Sequence, residues 1–259
     1  MARGTNRWAA GLGSSYAAPV LVHLAALAVW QAAADLGGLP AYILPSPIET
    51  LATLGNPNNH WMSNTLVTAT EIVSGFLLAV VIGVTIALVF SWSRWLFIFG
   101  MPLLVSLNMI PKVALGPIII VWFSYGIMTN ALIAFAICFF PIVITTARGL
   151  SEIEPEMLYL ARTLNASKWQ IFRKIQFPGS LPYLFSGMKV SAVLAVAGAI
   201  VGEFIGSERG LGYLMLQVQI NLDTATMFMA VLLITAIGVL LYGAVALLEF
   251  ILVNRGGEA

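Results

Sequence analysis

Residues 68–90 run for 23 positions with one charged side chain, Glu71. Five more stretches share this character, at 17–35, 96–123, 130–147, 183–203 and 224–252. About 20 apolar residues in a helix match the roughly 30 Å hydrocarbon core of a bilayer. Inside that core each backbone N–H and C=O must be satisfied within its own segment, which leaves the helix as the solution for runs of this length. Composition agrees: 60% of the 259 residues are hydrophobic and 9% are charged, with a mean hydropathy of +0.95. A soluble domain carries about 25% charged residues, so a soluble enzyme or binding module is excluded. The sequence predicts an all-α integral membrane protein with six transmembrane helices. The 96–123 stretch, interrupted by Pro102, Pro111, Lys112 and Pro117, reads as one kinked span or as two short ones.

Charge placement decides between these. Six spans with an inside N-terminus put nine of the twelve Lys and Arg on the inside: Arg3, Arg7, Arg94, Arg148, Arg162, Lys168, Arg173, Lys174 and Arg255. Splitting the third stretch would export the most basic loop, against the positive-inside bias. The expected layout is a cytoplasmic tail 1–16, one transmembrane domain 17–253 with a cytoplasmic loop 148–182, and a cytoplasmic tail 254–259. Arg3 and Arg7 before an apolar stretch and Ala32-Ala33-Ala34 mimic a secretory signal. The polytopic chain downstream fits a retained first helix instead. The net charge of +1 implies no pull toward nucleic acid. Cys138 lies inside an apolar run and His23 and His60 stand alone, so neither a disulfide framework nor a metal site is expected.

Both long loops carry local start signals. In the outside loop 37–67, Ser46-Pro47-Ile48-Glu49 is a capping box with Pro at the first helical position. A short interfacial helix ending near Gly55 should follow. In the inside loop, Ser151 with Glu154 and Ser167 with Gln170 are two further candidate boxes. Glu152, Glu154 and Glu156 crowd the first helix's N-terminus, where the macrodipole favours them. Asn165 falls where that helix should end in a left-handed residue. A second helix from Lys168 to about Gln176 should stop at Pro178. Trp169, Phe172 and Ile175 form an apolar stripe on it, and Leu160, Ala161 and Leu164 a small patch on the first. The stripe has three readings: packing back on the bundle, a DNA-binding helix–turn–helix, or a coupling element for a cytosolic partner. The second is disfavoured, because the four basic residues are nearly balanced by three acids and the segment is tethered between spans.

Residues 152–188, EIEPEMLYLARTLNASKWQIFRKIQFPGSLPYLFSGM, resemble the cytoplasmic loop of ABC-importer permeases. That loop reads Glu-Ala-Ala, three residues, Gly, nine residues, Ile, one residue, then Leu-Pro. Here Tyr159-Leu160-Ala161, Asn165, Ile175 and Phe177-Pro178 stand at those positions, so the second Ala, the Ile and the Pro match while the Glu, first Ala and Gly are replaced. Further similarity lies in Leu44-Pro45-Ser46-Pro47, Ile110-Pro111-Lys112-Val113-Ala114, Gly202-Glu203-Phe204 and Gly210-Leu211-Gly212-Tyr213. These resemble the nitrate, sulfonate, taurine and bicarbonate branch, and the likeness covers about residues 44–249. The resemblance implies the type I, methionine-importer-like permease fold in a bacterial inner membrane. It also implies a second permease copy, an extracytoplasmic binding protein and cytosolic ABC ATPase subunits that hold ATP and Mg. Glu156, Tyr159, Leu160, Ala161, Asn165, Ile175 and Pro178 would then couple to the ATPase. Independently, the chain has no Gly-x-x-x-x-Gly-Lys-Ser/Thr loop, so no cofactor is expected in it, and nothing in it resembles a nucleophile–base pair.

Intramembrane polar residues are the remaining candidates. Lys112 beside Pro111 either draws an anionic substrate or is paired or snorkelling, and Asn108, four residues earlier, shares its face. Glu203 either belongs to the translocation path or meets water or a backbone amide at a helix end. Glu71 and Glu249 read as interface-exposed, and Lys189 as snorkelling. Gly210 and Gly212 suit a tight outer turn. Gly75, Gly83 and the Ala-rich run 192–199 suit close helix packing, with dimerisation one possible use. The expected function is the permease subunit of an ATP-driven importer for a small anion such as nitrate, a sulfonate or taurine. The alternatives are the same machine carrying a pyrimidine, thiamine-precursor or riboflavin-type substrate, and an ion-coupled secondary transporter.

Overall fold

The computed structural model describes residues 7–152 and 155–253. In chain order the helices are α1 (Arg7–Leu36), α2 (Pro47–Ala52), α3 (Trp61–Trp92), α4 (Arg94–Asn108), α5 (Gly116–Phe123), α6 (Ile127–Ser151), α7 (Pro155–Thr163), α8 (Lys168–Ile171), α9 (Phe177–Gly206), α10 (Leu211–Gln219) and α11 (Thr224–Val253). Five segments are long and apolar enough to cross a membrane: 18–36, 57–92, 127–151, 168–206 and 224–253. The third expected span is broken. Pro111 has no N–H to donate and sits in extended backbone, a 3₁₀ turn Lys112–Leu115 follows, and Pro117 opens α5. α4 and the Lys112–Phe123 segment meet at 83°. Taken as one broken span, the pair completes the expected six.

The chain divides into two compact units, Met1–Asn59 with Gln217–Ala230, and His60–Leu216 with Val231–Ala259. In the first, the capping box forms as expected: Ser46 Oγ accepts from Glu49 N at 3.2 Å and Ser46 N donates to Glu49 Oε2 at 2.8 Å. α2 then runs into a 3₁₀ turn ending at Gly55. Trp30 anchors the unit, its Nε1 donating to Pro45 O at 3.0 Å and its ring lying 5.6 Å from that of Phe228.

The second unit is built on α3, α6 and α9, whose contact surfaces are small residues. A Cβ on Gly75 would sit 2.6 Å from Ala131 O, and one on Gly198 would sit 2.6 Å from Ala134 Cα. Neither position admits a larger side chain, so two of these small residues are spent on contacts inside the subunit. Ala192, Ala195 and Ala199 are buried in the same core with Ile72, Phe76 and Ile142. Close approach gains dispersion contacts, the main attraction available between helices in lipid.

One expectation for the 148–182 segment changes. Pro178 does not stop the second helix. Phe172–Gln176 form a π turn, with Phe177 N donating to Phe172 O, and α9 continues without a break. The wider turn relieves the clash of the proline ring with the preceding turn and takes up its missing donor. Ser151 ends α6, its Oγ donating to Arg148 O; Glu154, its partner in the first candidate box, lies outside the described residues, as do residue 153 and the tail residues 1–6 and 254–259.

Candidate functional site

The 155–176 segment is a helical arm. Its second capping box forms, with Ser167 N donating to Gln170 Oε1 at 2.8 Å and Gln170 N to Ser167 Oγ at 3.3 Å. Asn165 turns the chain with φ +54°, the conformation its side chain tolerates best after Gly. Trp169 and Phe172 pack at 5.6 Å between centroids, and both lie against Trp92 at the end of α3, at 6.2 and 5.9 Å. Phe172 also covers Ala87, Ala147 and Leu150. The stripe therefore packs back on the protein's own spans.

α7 keeps the free face. Glu156, Met157, Tyr159, Leu160 and Leu164 are exposed, Leu160 at 61%. Asn165 and Pro178 are exposed as well, and Ile175 is half-buried. Ala161 is 8% exposed, which removes it from the outward patch to which the sequence assigned it. Exposed bulky apolar side chains on and just after a short helix form a surface that another protein can bury.

At the broken span, Lys112 Nζ donates to Asn108 Oδ1 at 2.7 Å and to Asn108 O. It also lies 5.1 Å over the ring of Phe140 from α6. The carbonyl at Asn108 is available because the helix ends there. Lys112 and Asn108 are thus brought together, as their spacing suggested. Phe140 was not legible, since it lies in a run of apolar residues that reads as core.

Glu203 lies in a buried network and is 1% exposed. Its Oε1 accepts from Thr68 Oγ1 at 2.6 Å, and its Oε2 accepts from Gly212 N at 2.5 Å and Tyr213 N at 3.2 Å. Leu211 N donates to Thr68 Oγ1 at 2.8 Å and Gly210 N to Asn64 Oδ1 at 3.0 Å. Gly210 has φ +116°, and a Cβ there would run into the Glu203 carboxyl. The carboxylate therefore gathers the amides of the 207–213 turn and fixes it to α3 and α9.

Glu71 corrects the sequence reading: it is 0% exposed rather than interfacial. It accepts from Asn130 Nδ2 at 2.9 Å and lies beside Glu203. The missed signal is Asn64, Thr68 and Glu71, a polar row at helical spacing along an apolar span. Lys189 and Glu249, read separately as snorkelling and exposed, pair at 2.7 Å, each half-buried.

Long apolar helices, one pair of them broken at Lys112, with small residues packing α3, α6 and α9 together, define an integral membrane protein. The family model described as "Binding-protein-dependent transport system inner membrane component" matches residues 79–251, and the chain belongs to that family. It is 32% identical over 90% of its length to the formylaminopyrimidine transport permease protein ThiX of Halalkalibacterium halodurans, covering 94% of that protein. It is 35% identical over 88% of its length to the riboflavin transport system permease protein RibX of Chloroflexus aurantiacus, covering 86% of it. The putative aliphatic sulfonates transport permease protein SsuC of Bacillus subtilis is 26% identical over 89% of this chain and is covered for 84% of its length. A chain of the MetNI methionine ABC transporter, solved in inward-facing conformations, superposes with a TM-score of 0.62 at 20% identity, over 75% of this chain and 96% of that one. The fold is thus that of a type I importer permease. The protein is an ABC-importer permease subunit and not an enzyme.

Proposed function

We propose that this chain forms the translocation path for a small heteroaromatic solute of the pyrimidine or flavin type. The observation that carries this reading is the Lys112–Asn108–Phe140 group at the broken span. It offers a cation, an amide and a ring face, which suit a flat ring bearing polar acceptors. ThiX and RibX, the more similar of the relatives named, support it. A small anion such as a sulfonate is the second reading, favoured by the absence of Lys112 from the ion pairs among the described residues and by the likeness to SsuC.

In this reading the chain lies in a bacterial plasma membrane with both termini cytoplasmic and pairs with a second copy. An extracytoplasmic binding protein delivers the solute to the 37–67 and 204–223 segments. The exposed face of α7 seats in a cytosolic ATPase that holds ATP and Mg, and closure of that ATPase drives the 152–176 arm as a lever. Charged carriers inside the bilayer are few, which favours ATP over an ion gradient as the energy source.

The test is uptake into proteoliposomes by the complete complex, expressed with the ATPase and binding protein of its own gene neighbourhood. ATP-dependent uptake of labelled formylaminopyrimidine or riboflavin, reduced at least tenfold in Lys112→Met, supports the reading. Uptake of taurine or an alkanesulfonate alone moves the substrate to the anion class. Full uptake without the ATPase overturns the importer mechanism.

A further inference from the structure

Two cavities lie where α3 ends and α4 begins, and Trp92 lines both. One, of about 480 Å³, is bounded by Ser91, Arg94, Lys168 and Gln176 over a base that includes Ile171 and Phe172. Two cations line it, and none of its described lining residues is acidic. α4 starts at Arg94, so the positive end of a 15-residue helix dipole lies at the same wall. The other cavity, of about 440 Å³, is a groove along the spans walled by Leu88, Val89, Leu96 and the stem of Thr85.

The level of the cavities is set by aromatic residues. Trp92, Trp95 and Phe99 are all exposed, and Trp95 stacks on Phe99 at 5.9 Å. Exposed Trp at the end of a span sits at the headgroup layer. A cavity lined by two cations at headgroup level, sharing Trp92 with an apolar groove along the span, has the two-part chemistry of a phospholipid.

We propose that these cavities form a binding site for one anionic phospholipid. Arg94 and Lys168 hold the headgroup phosphate, and the Leu88/Val89/Leu96 groove takes an acyl chain. Arg94 opens α4 and Lys168 opens the second helix of the arm, so the bound lipid bridges the arm to the spans. It reinforces there the contact that Trp92 makes with Trp169 and Phe172. A free phosphate would satisfy the two cations but leave the groove unused, which is why the lipid is the occupant inferred.

The test is native mass spectrometry of the purified full chain in detergent, with equimolar phosphatidylglycerol and phosphatidylcholine of matched chains. Each interfacial cation strengthens attraction to an anionic headgroup several-fold, so wild type should retain phosphatidylglycerol about tenfold better. Arg94→Gln with Lys168→Gln should abolish the preference. Arg173→Gln with Lys174→Gln, equal in charge, should keep it. All four side chains are exposed, so folding is not at stake. Val89→Trp, filling the groove, should lower retention without any change of charge. Equal retention of both lipids by wild type, an unchanged preference in the first double variant, or displacement of phosphatidylglycerol by inorganic phosphate would overturn the proposal. The measurement needs neither ATPase nor substrate, so its outcome is independent of the transport reading.

Discussion

Replacing Glu203 by Gln tests the buried network directly. The carboxylate accepts three hydrogen bonds, from Thr68 Oγ1, Gly212 N and Tyr213 N, and is 1% exposed. Gln offers one carbonyl and one NH₂. If the carbonyl keeps the two amides, the NH₂ faces Thr68 Oγ1, which already accepts from Leu211 N. If it is turned round, the NH₂ opposes two backbone donors. In either arrangement a charge-assisted bond is lost and a buried donor goes unmet, a cost of about 2 kcal/mol. Glu71→Gln is the control. Glu71 accepts one bond, from Asn130, and its Oε2 accepts none. The amide keeps that bond and can donate toward Glu203, so its effect should stay within about 0.5 kcal/mol. In detergent, thermal unfolding followed by size-exclusion fluorescence should place Glu203→Gln roughly 4–8 °C below wild type. Glu71→Gln should lie near wild type. Equal shifts in the two variants, or none in Glu203→Gln, would refute the assignment of Glu203 as the organiser of the 207–213 turn.

Leu160→Asp should remove co-purification of the ATPase while leaving the melting temperature unchanged, because Leu160 is exposed. Ala161→Asp should instead lower the melting temperature and yield, since it puts a charge at a buried position; a normal melting curve would contradict the burial. Asn165→Gly should be nearly neutral by thermal unfolding, whereas Asn165→Val at φ +54° should cost about 1–2 kcal/mol. Gly198→Leu should prevent accumulation of folded protein, since the added side chain meets the Ala134 backbone; recovery of monodisperse protein by size exclusion would show that α6 and α9 are not in close contact.

Features governed by neighbours along the chain are legible in the sequence itself. The spans follow from the length and apolarity of each run. The capping boxes at Ser46 and Ser167 need only residues three apart, and the turn at Asn165 only its own backbone. The break at Pro111 follows from a missing donor. Which face of each span points inward is not legible, and the errors gather there. In a soluble helix water separates the two faces, but lipid is as apolar as the packed core, so a span apolar all round carries no pattern to say which side is buried. Hence Glu71 reads as interfacial although it is buried. Only the packing of α3, α6 and α9 joins Glu71 to Glu203 and slides Phe140 beneath Lys112, because those contacts link residues brought together by helix packing and not by chain spacing.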